Sequence, residues 1–210
     1  MSTNLVAVGP MTWDFGNVTN QAEIIIAKLK EYPFHRAINH DGVTECEGDW
    51  SYEIHYCEED PGVPYAPWME LHITGPFCIF PTIRNNNIEL SYFYRYWYIA
   101  ELTMAEWYEQ FRREQFEVCR ILGITEVCYL ADQSHITGGI CQGSVWMNWP
   151  YERIKERLFE IGPPTPREQA VSYTSYESNG EKEQWFMDDF ADIKAAGVDW
   201  FWSPYVHRHD

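Results

Sequence analysis

In the stretch from Trp68 to Thr74 the apolar residues Met69, Leu71 and Ile73 alternate with Glu70, His72 and Thr74. Period two sends the two sets to opposite faces of a strand, so this stretch predicts a strand with one face in the core. A second apolar run, Phe77 to Ile83, is interrupted by Pro81, which suits an edge position, a bulge or the end of a strand. Asn85, Asn86 and Asn87 tolerate left-handed backbone and predict a tight reversal. The run from Ile88 to Ala100 carries Tyr92, Phe93, Tyr94, Tyr96, Trp97 and Tyr98 and predicts a central strand, bulky on both faces.

The period then changes to three and four. Met104, Trp107, Tyr108, Phe111, Val118, Cys119 and Leu122 form one helical stripe, opened by the capping box Thr103-x-x-Glu106 and closed by Gly123. The same signals predict a helix over 21–31, headed by Asn20 and Glu23 and stopped by Pro33, one from Pro150 to Ile161, and a last one over 181–195. Short strands are expected at Leu5–Val8, Met11–Phe15, Phe34–Asn39, Trp50–Cys57, Val127–Leu130 and Val145–Met147. Gly9-Pro10 reads as a turn, Ser134–Gly143 as a glycine-containing loop and 163–180 as a long loop; the tail Trp200–Trp202 is aromatic enough to dock on the body. The expected fold is α+β: a mixed, mainly antiparallel twisted sheet with about four flanking helices, in a single domain over 1–210.

Composition narrows the function classes. The chain of 210 residues is 45% hydrophobic and 17% aromatic, ample for a packed core. Its formal net charge is −17, spread over the body: residues 1–100 hold 13 acids against 5 bases, and 101–210 hold 19 against 10. Such a field repels phosphate backbones and favours basic partners, so no nucleic-acid partner is expected. Six cysteines without a Cys-x-x-Cys pattern read as reduced core thiols. With no basic, apolar leader after Met1 and no run of apolar residues long enough to span a bilayer, a cytoplasmic protein without a membrane partner is expected.

Two tetrapeptides carry the only pattern with catalytic meaning: His72-Ile73-Thr74-Gly75 and His135-Ile136-Thr137-Gly138. A His and a Thr two residues apart on a strand share a face. Two such pairs facing one another can hold a phosphate, with threonine hydroxyls donating and the imidazoles acting as base and acid. The pattern resembles the 2H phosphoesterases, whose paired His-x-Thr/Ser motifs line a cleft between two pseudo-symmetric lobes. That resemblance implies a small phosphoesterase with His72, Thr74, His135 and Thr137 as catalytic residues. It covers these eight residues, and Gly75 and Gly138 stand where the family has a hydrophobic residue.

Other chemistry is sparse. His55 with Cys57, and His207 with His209, lack partners at structural-zinc spacing, and no nucleophile elbow or phosphate-binding glycine motif occurs, so no metal or cofactor is expected. Between Glu45 and Asp60 lie Glu45, Glu47, Asp49, Glu53, Glu58, Glu59 and Asp60 with no Lys or Arg. With Trp50 beside them, these acids form a candidate docking surface for a basic protein. The leading expectation is a non-enzymatic, immunity- or antitoxin-like protein that neutralises a basic partner; the alternative is the phosphoesterase.

Overall fold

The structure is a computed structural model. It describes residues 4–13, 15–31, 36–39, 42–45, 50–58, 67–75, 79–95, 105–132, 136–166, 169 and 184–196. The first half holds β1 (Asn4–Pro10), α1 (Val18–Lys30), β2 (Arg36–Asn39), β3 (Gly42–Glu45), β4 (Ser51–Cys57), β5 (Trp68–Thr74), β6 (Ile79–Ile83) and β7 (Asn87–Arg95). The second half holds α2 (Ala105–Leu122), β8 (Val127–Ala131), α3 (Thr137–Met147), α4 (Tyr151–Ile161), β9 (Phe186–Asp188) and α5 (Ala191–Ala196). Seven strands form one sheet in the order β4-β5-β6-β7-β1-β8-β9, and β2 and β3 form a separate hairpin. All its pairings among the described residues are antiparallel, so the fold is α+β with an antiparallel sheet rather than a mixed one.

The sheet is packed on both sides. On one face Leu71, Ile73, Ile83, Ile88, Leu90, Ala7 and Tyr129 meet Ala22, Ile26 and Leu29 of α1, Val118 and Cys119 of α2, and Ile193 of α5. On the other face Val6, Val8, Cys128 and Leu130 meet Ile140 and Cys141 of α3 and Tyr151, Ile154 and Leu158 of α4. Each fully buried aliphatic side chain contributes roughly 1.5–3 kcal/mol, so these two clusters hold the layers together.

Several predicted elements stand at the predicted residues. β5 has the predicted bounds, with Leu71 and Ile73 buried. α2 ends at Leu122, and Gly123 follows at φ 77° while the Ile124 amide donates to the Cys119 carbonyl. Pro81 pairs with Leu90 of β7, but pairing of β6 with β5 stops at Thr82, so the amide that proline lacks falls where that ladder ends. Thr103 and the aromatic residues from Tyr96 onward lie outside the described residues.

Other expectations are corrected. α1 starts at Val18 after a single 3₁₀ turn, Phe15–Asn17, so Asn20 and Glu23 lie inside the helix and not at its head, and among the described residues of Met11–Phe15 none is in a strand. Gly9 and Pro10 belong to β1. From Thr137 onward, the stretch read as a glycine loop followed by a strand is helix α3. Its glycines lower helix propensity, but burial of Ile140, Cys141 and Ser144 outweighs that. Gly143 also lies under the Trp149 ring, where a Cβ would meet Cε3 at 2.5 Å. The last predicted helix is β9 plus the short α5. Trp185, Phe186, Phe190 and Ile193 are spaced as on a helix, yet Trp185 joins one core cluster and Phe186 the other. Phe190 reverses the chain at φ 57°.

Candidate functional site

Directly opposed residues of an antiparallel pair share a face. One such row crosses the whole sheet: Glu53, His72, Thr82, Glu89, Val8, Cys128 and Met187. It is polar over β4 to β7 and becomes apolar at β1, where α3 and α4 cover it. The next row, Ile54, Leu71, Ile83 and Ile88, faces the α1–α2 core. The β4–β7 half of the sheet therefore carries a polar cluster on the face whose other half is core.

Arg84 organises that cluster. It is 3% exposed; its Nε donates to Glu70 Oε1 at 2.6 Å and its Nη1 to Glu89 Oε2 at 3.1 Å. Ser91 Oγ donates to Glu89 Oε1 at 2.5 Å, and Trp68 Nε1 to Glu70 Oε1 at 3.2 Å. The three asparagines of the β6–β7 turn do not supply left-handed backbone; their side chains tie neighbouring elements together. Asn85 bonds the Met69 amide and the Trp13 carbonyl, Asn86 the Asn148 carbonyl, and Asn87 the Ser144 and Trp149 carbonyls. The cluster is thereby clamped to the α3–α4 corner.

Burial raises the Glu70 carboxyl's pKa, but the hydrogen bond from His72, the charge and hydrogen bond of Arg84 and the bond from Trp68 outweigh it and hold the group at about 2. A carboxylate with its folded pKa below the ordinary 4.5 stabilises the fold above that value, and the stabilisation is lost as pH falls through about 2. With solvent screening included, this amounts to about 2 kcal/mol at neutral pH. Glu70→Gln is expected to lower urea stability at pH 7 and to approach the parent as pH falls from 4.5 towards 2. A gap independent of pH would contradict this account.

His72 lies at the solvent side of the cluster. Its ring is 42% exposed, and Nε2 donates to the acceptor-only carboxylate oxygen Oε2 of Glu70 at 2.9 Å. His55 of β4 stands beside it with ring centroids 4.5 Å apart, and its Nε2 meets Glu53 Oε2 at 3.3 Å. Thr74, two residues along β5, is exposed. Its Gly75 lies under the Trp50 ring, where a Cβ would meet Cε3 at 2.4 Å, so a hydrophobic residue has no room there. The second tetrapeptide is arranged differently. Thr137 opens α3, is fully buried and donates to the Ala131 carbonyl at 3.4 Å. Three strands separate β8 from β5, about 19 Å at the usual strand spacing. His135 lies outside the described residues.

Of the predicted docking residues, Glu53 and Glu58 are exposed on and just beyond β4, and Trp50 is half-buried over Gly75 against the core. Glu45 ends β3; Glu47, Asp49, Glu59 and Asp60 lie outside the described residues. Sequence reading missed Arg84, Glu89, Ser91 and His55 as parts of one cluster. The available signal was the alternation Thr82-Ile83-Arg84 and Ile88-Glu89-Leu90-Ser91 on either side of the asparagines, which places polar groups on one face of interior strands.

Cys57, Cys119, Cys128 and Cys141 are free thiols, and burial raises the pKa of each, to about 11 for Cys128. Among the described residues no group of three or more His, Cys, Asp or Glu is arranged to hold a metal ion, and no helix is long and apolar enough to cross a membrane. Comparison with family models, curated proteins and solved structures finds no match.

Proposed function

We propose that this chain is a binding protein of the immunity or antitoxin kind, which neutralises a basic partner through the acidic surface at β4. The observation that carries this reading is the exposure of β4. The Glu53 side chain is 80% exposed, Glu58 beyond the strand end is exposed, and Tyr56, on the strand face opposite Glu53, is 62% exposed along the same edge. They stand in a segment without Lys or Arg, in a chain of net charge −17. Exposed acids steer a basic protein into encounter, and an exposed aromatic ring offers it contact area.

The phosphoesterase alternative asks Thr137 to donate towards a phosphate shared with Thr74. Its hydroxyl is instead buried against Ala131, which gives the weight to binding. The test is co-purification with a basic protein encoded beside this chain. The association is expected to weaken steeply with added salt, and Glu53→Lys with Glu58→Lys to weaken it about tenfold or more. An association indifferent to both salt and charge reversal overturns the reading, as does hydrolysis of a cyclic phosphate that vanishes in His72→Ala.

A further inference from the structure

We infer that the outer edge of β4 is the docking element, and that it takes an extended, basic segment of the partner as an added strand. This deepens the binding reading and rests on it. β4 ends the seven-stranded sheet. On its inner side seven successive residues pair with β5 without a register shift, and among the described residues no strand pairs with its outer side. Natural edge strands resist such pairing with proline, lysine, a bulge or very short length. The opposite edge follows that practice: β9 is three residues long. β4 is seven residues long, unbulged and without proline, and its one carboxylate, Glu53, guards the edge against acidic strands but not against basic ones.

Charge selects the occupant. A second copy of this chain would set two bodies of charge −17 against each other. A basic strand reverses that sign. Side chains along β4 alternate, with Glu53 and His55 on one face and Ile54 and Tyr56 on the other. The fitting segment therefore alternates Lys or Arg with apolar residues, contains no proline, and is long enough to run beside seven residues.

The probe is a labelled alternating Lys-Val peptide of about nine residues, roughly 30 Å when extended. It is compared with two versions whose alternate amides are N-methylated, one in each phase. Charge and side chains are unchanged by methylation, while the methyl groups remove the amide donors along one edge and block its approach. The full chain is expected to bind the parent peptide, to bind at least one methylated version on the order of tenfold more weakly, and to show slowed amide exchange in β4 when bound. Equal binding of all three peptides without protection of β4 overturns strand addition; if Glu53→Lys with Glu58→Lys still abolishes that binding, the acidic-surface reading stands without it. No binding of the parent overturns the docking edge, and the salt test on the co-purified partner then decides the broader reading by itself.

Discussion

Arg112→Met is expected to lower stability by about 3–5 kcal/mol, the usual effect of leaving a buried charge without its partner. Arg112 of α2 is 2% exposed. Its Nε and Nη2 donate to the two oxygens of Asp188 at 2.6 and 3.0 Å, and Nη1 and Nη2 donate to those of Asp192 at 3.0 and 2.9 Å. One guanidinium thus joins α2 to β9 and to the first turn of α5, with the forked geometry that only arginine offers. Asp188 is 7% exposed and also accepts from the Phe190 amide at 2.9 Å, which helps hold the chain reversal there. Without Arg112 the Asp188 carboxylate remains buried against a thioether. Asp192 is 60% exposed, and its own removal is expected to have a far smaller effect, about 1 kcal/mol or less. Urea unfolding of Arg112→Met, Asp192→Ala and the double variant Arg112→Met with Asp188→Asn separates these effects. The double variant is expected to recover part of the loss, because the stranded charge has gone. A loss below about 1 kcal/mol for Arg112→Met, or no recovery in the double variant, would mean that the ion pair does not secure this corner.

Much of the fold was legible where one physical rule acted alone. In β5 alternation decides the faces, in β8 five residues are all apolar and all buried, and in α4 Ile154 and Leu158 recur at helical spacing and are buried. Legibility failed where two rules competed. The glycines of α3 argue for a loop, and only the apolar surface waiting on β1 and β8 makes them helical. The spacing of Trp185, Phe186 and Phe190 satisfies a helix, but the strand vacancy beside β8 takes Phe186–Asp188 instead. The candidate site was half legible for a related reason. His72 and Thr74 declare their face by local period, whereas Arg84 and Glu89 acquire meaning only through cross-strand register. In a chain with 32 acids no carboxylate stands out until its partner is known.

Arg84→Met is the second large expected effect, and its pH dependence separates it from an ordinary core defect. Arg84 holds Glu70 and Glu89 on opposite sides of one buried guanidinium. Both carboxylates are at most 13% exposed, and removing the cation leaves two negative groups with little water around them. A loss of about 3–5 kcal/mol is expected at pH 7. Desolvation, already the largest influence on Glu70, and the like charge of Glu89 then outweigh the remaining hydrogen bonds from His72 and Trp68 and raise the Glu70 carboxyl's pKa above the unfolded value, reversing its present direction. An acid whose folded pKa is raised penalises the fold at high pH and ceases to do so as it takes up a proton. The Arg84→Met variant should therefore close part of its gap to the parent when unfolding is measured at pH 5 instead of pH 7, the opposite of a cavity's pH-independent loss. Arg84→Lys keeps the charge but not the fork, so it should lie between the two. The same variant reports on the surface above it. Glu70 is the group that His72 Nε2 bonds, so freeing Glu70 should alter the His72 imidazole resonances in NMR spectra. His55 of β4 stands next to His72, which makes Arg84 the buried anchor of the β4–β5 polar face. Unchanged His72 resonances in a folded Arg84→Met protein would separate that face from the network beneath it.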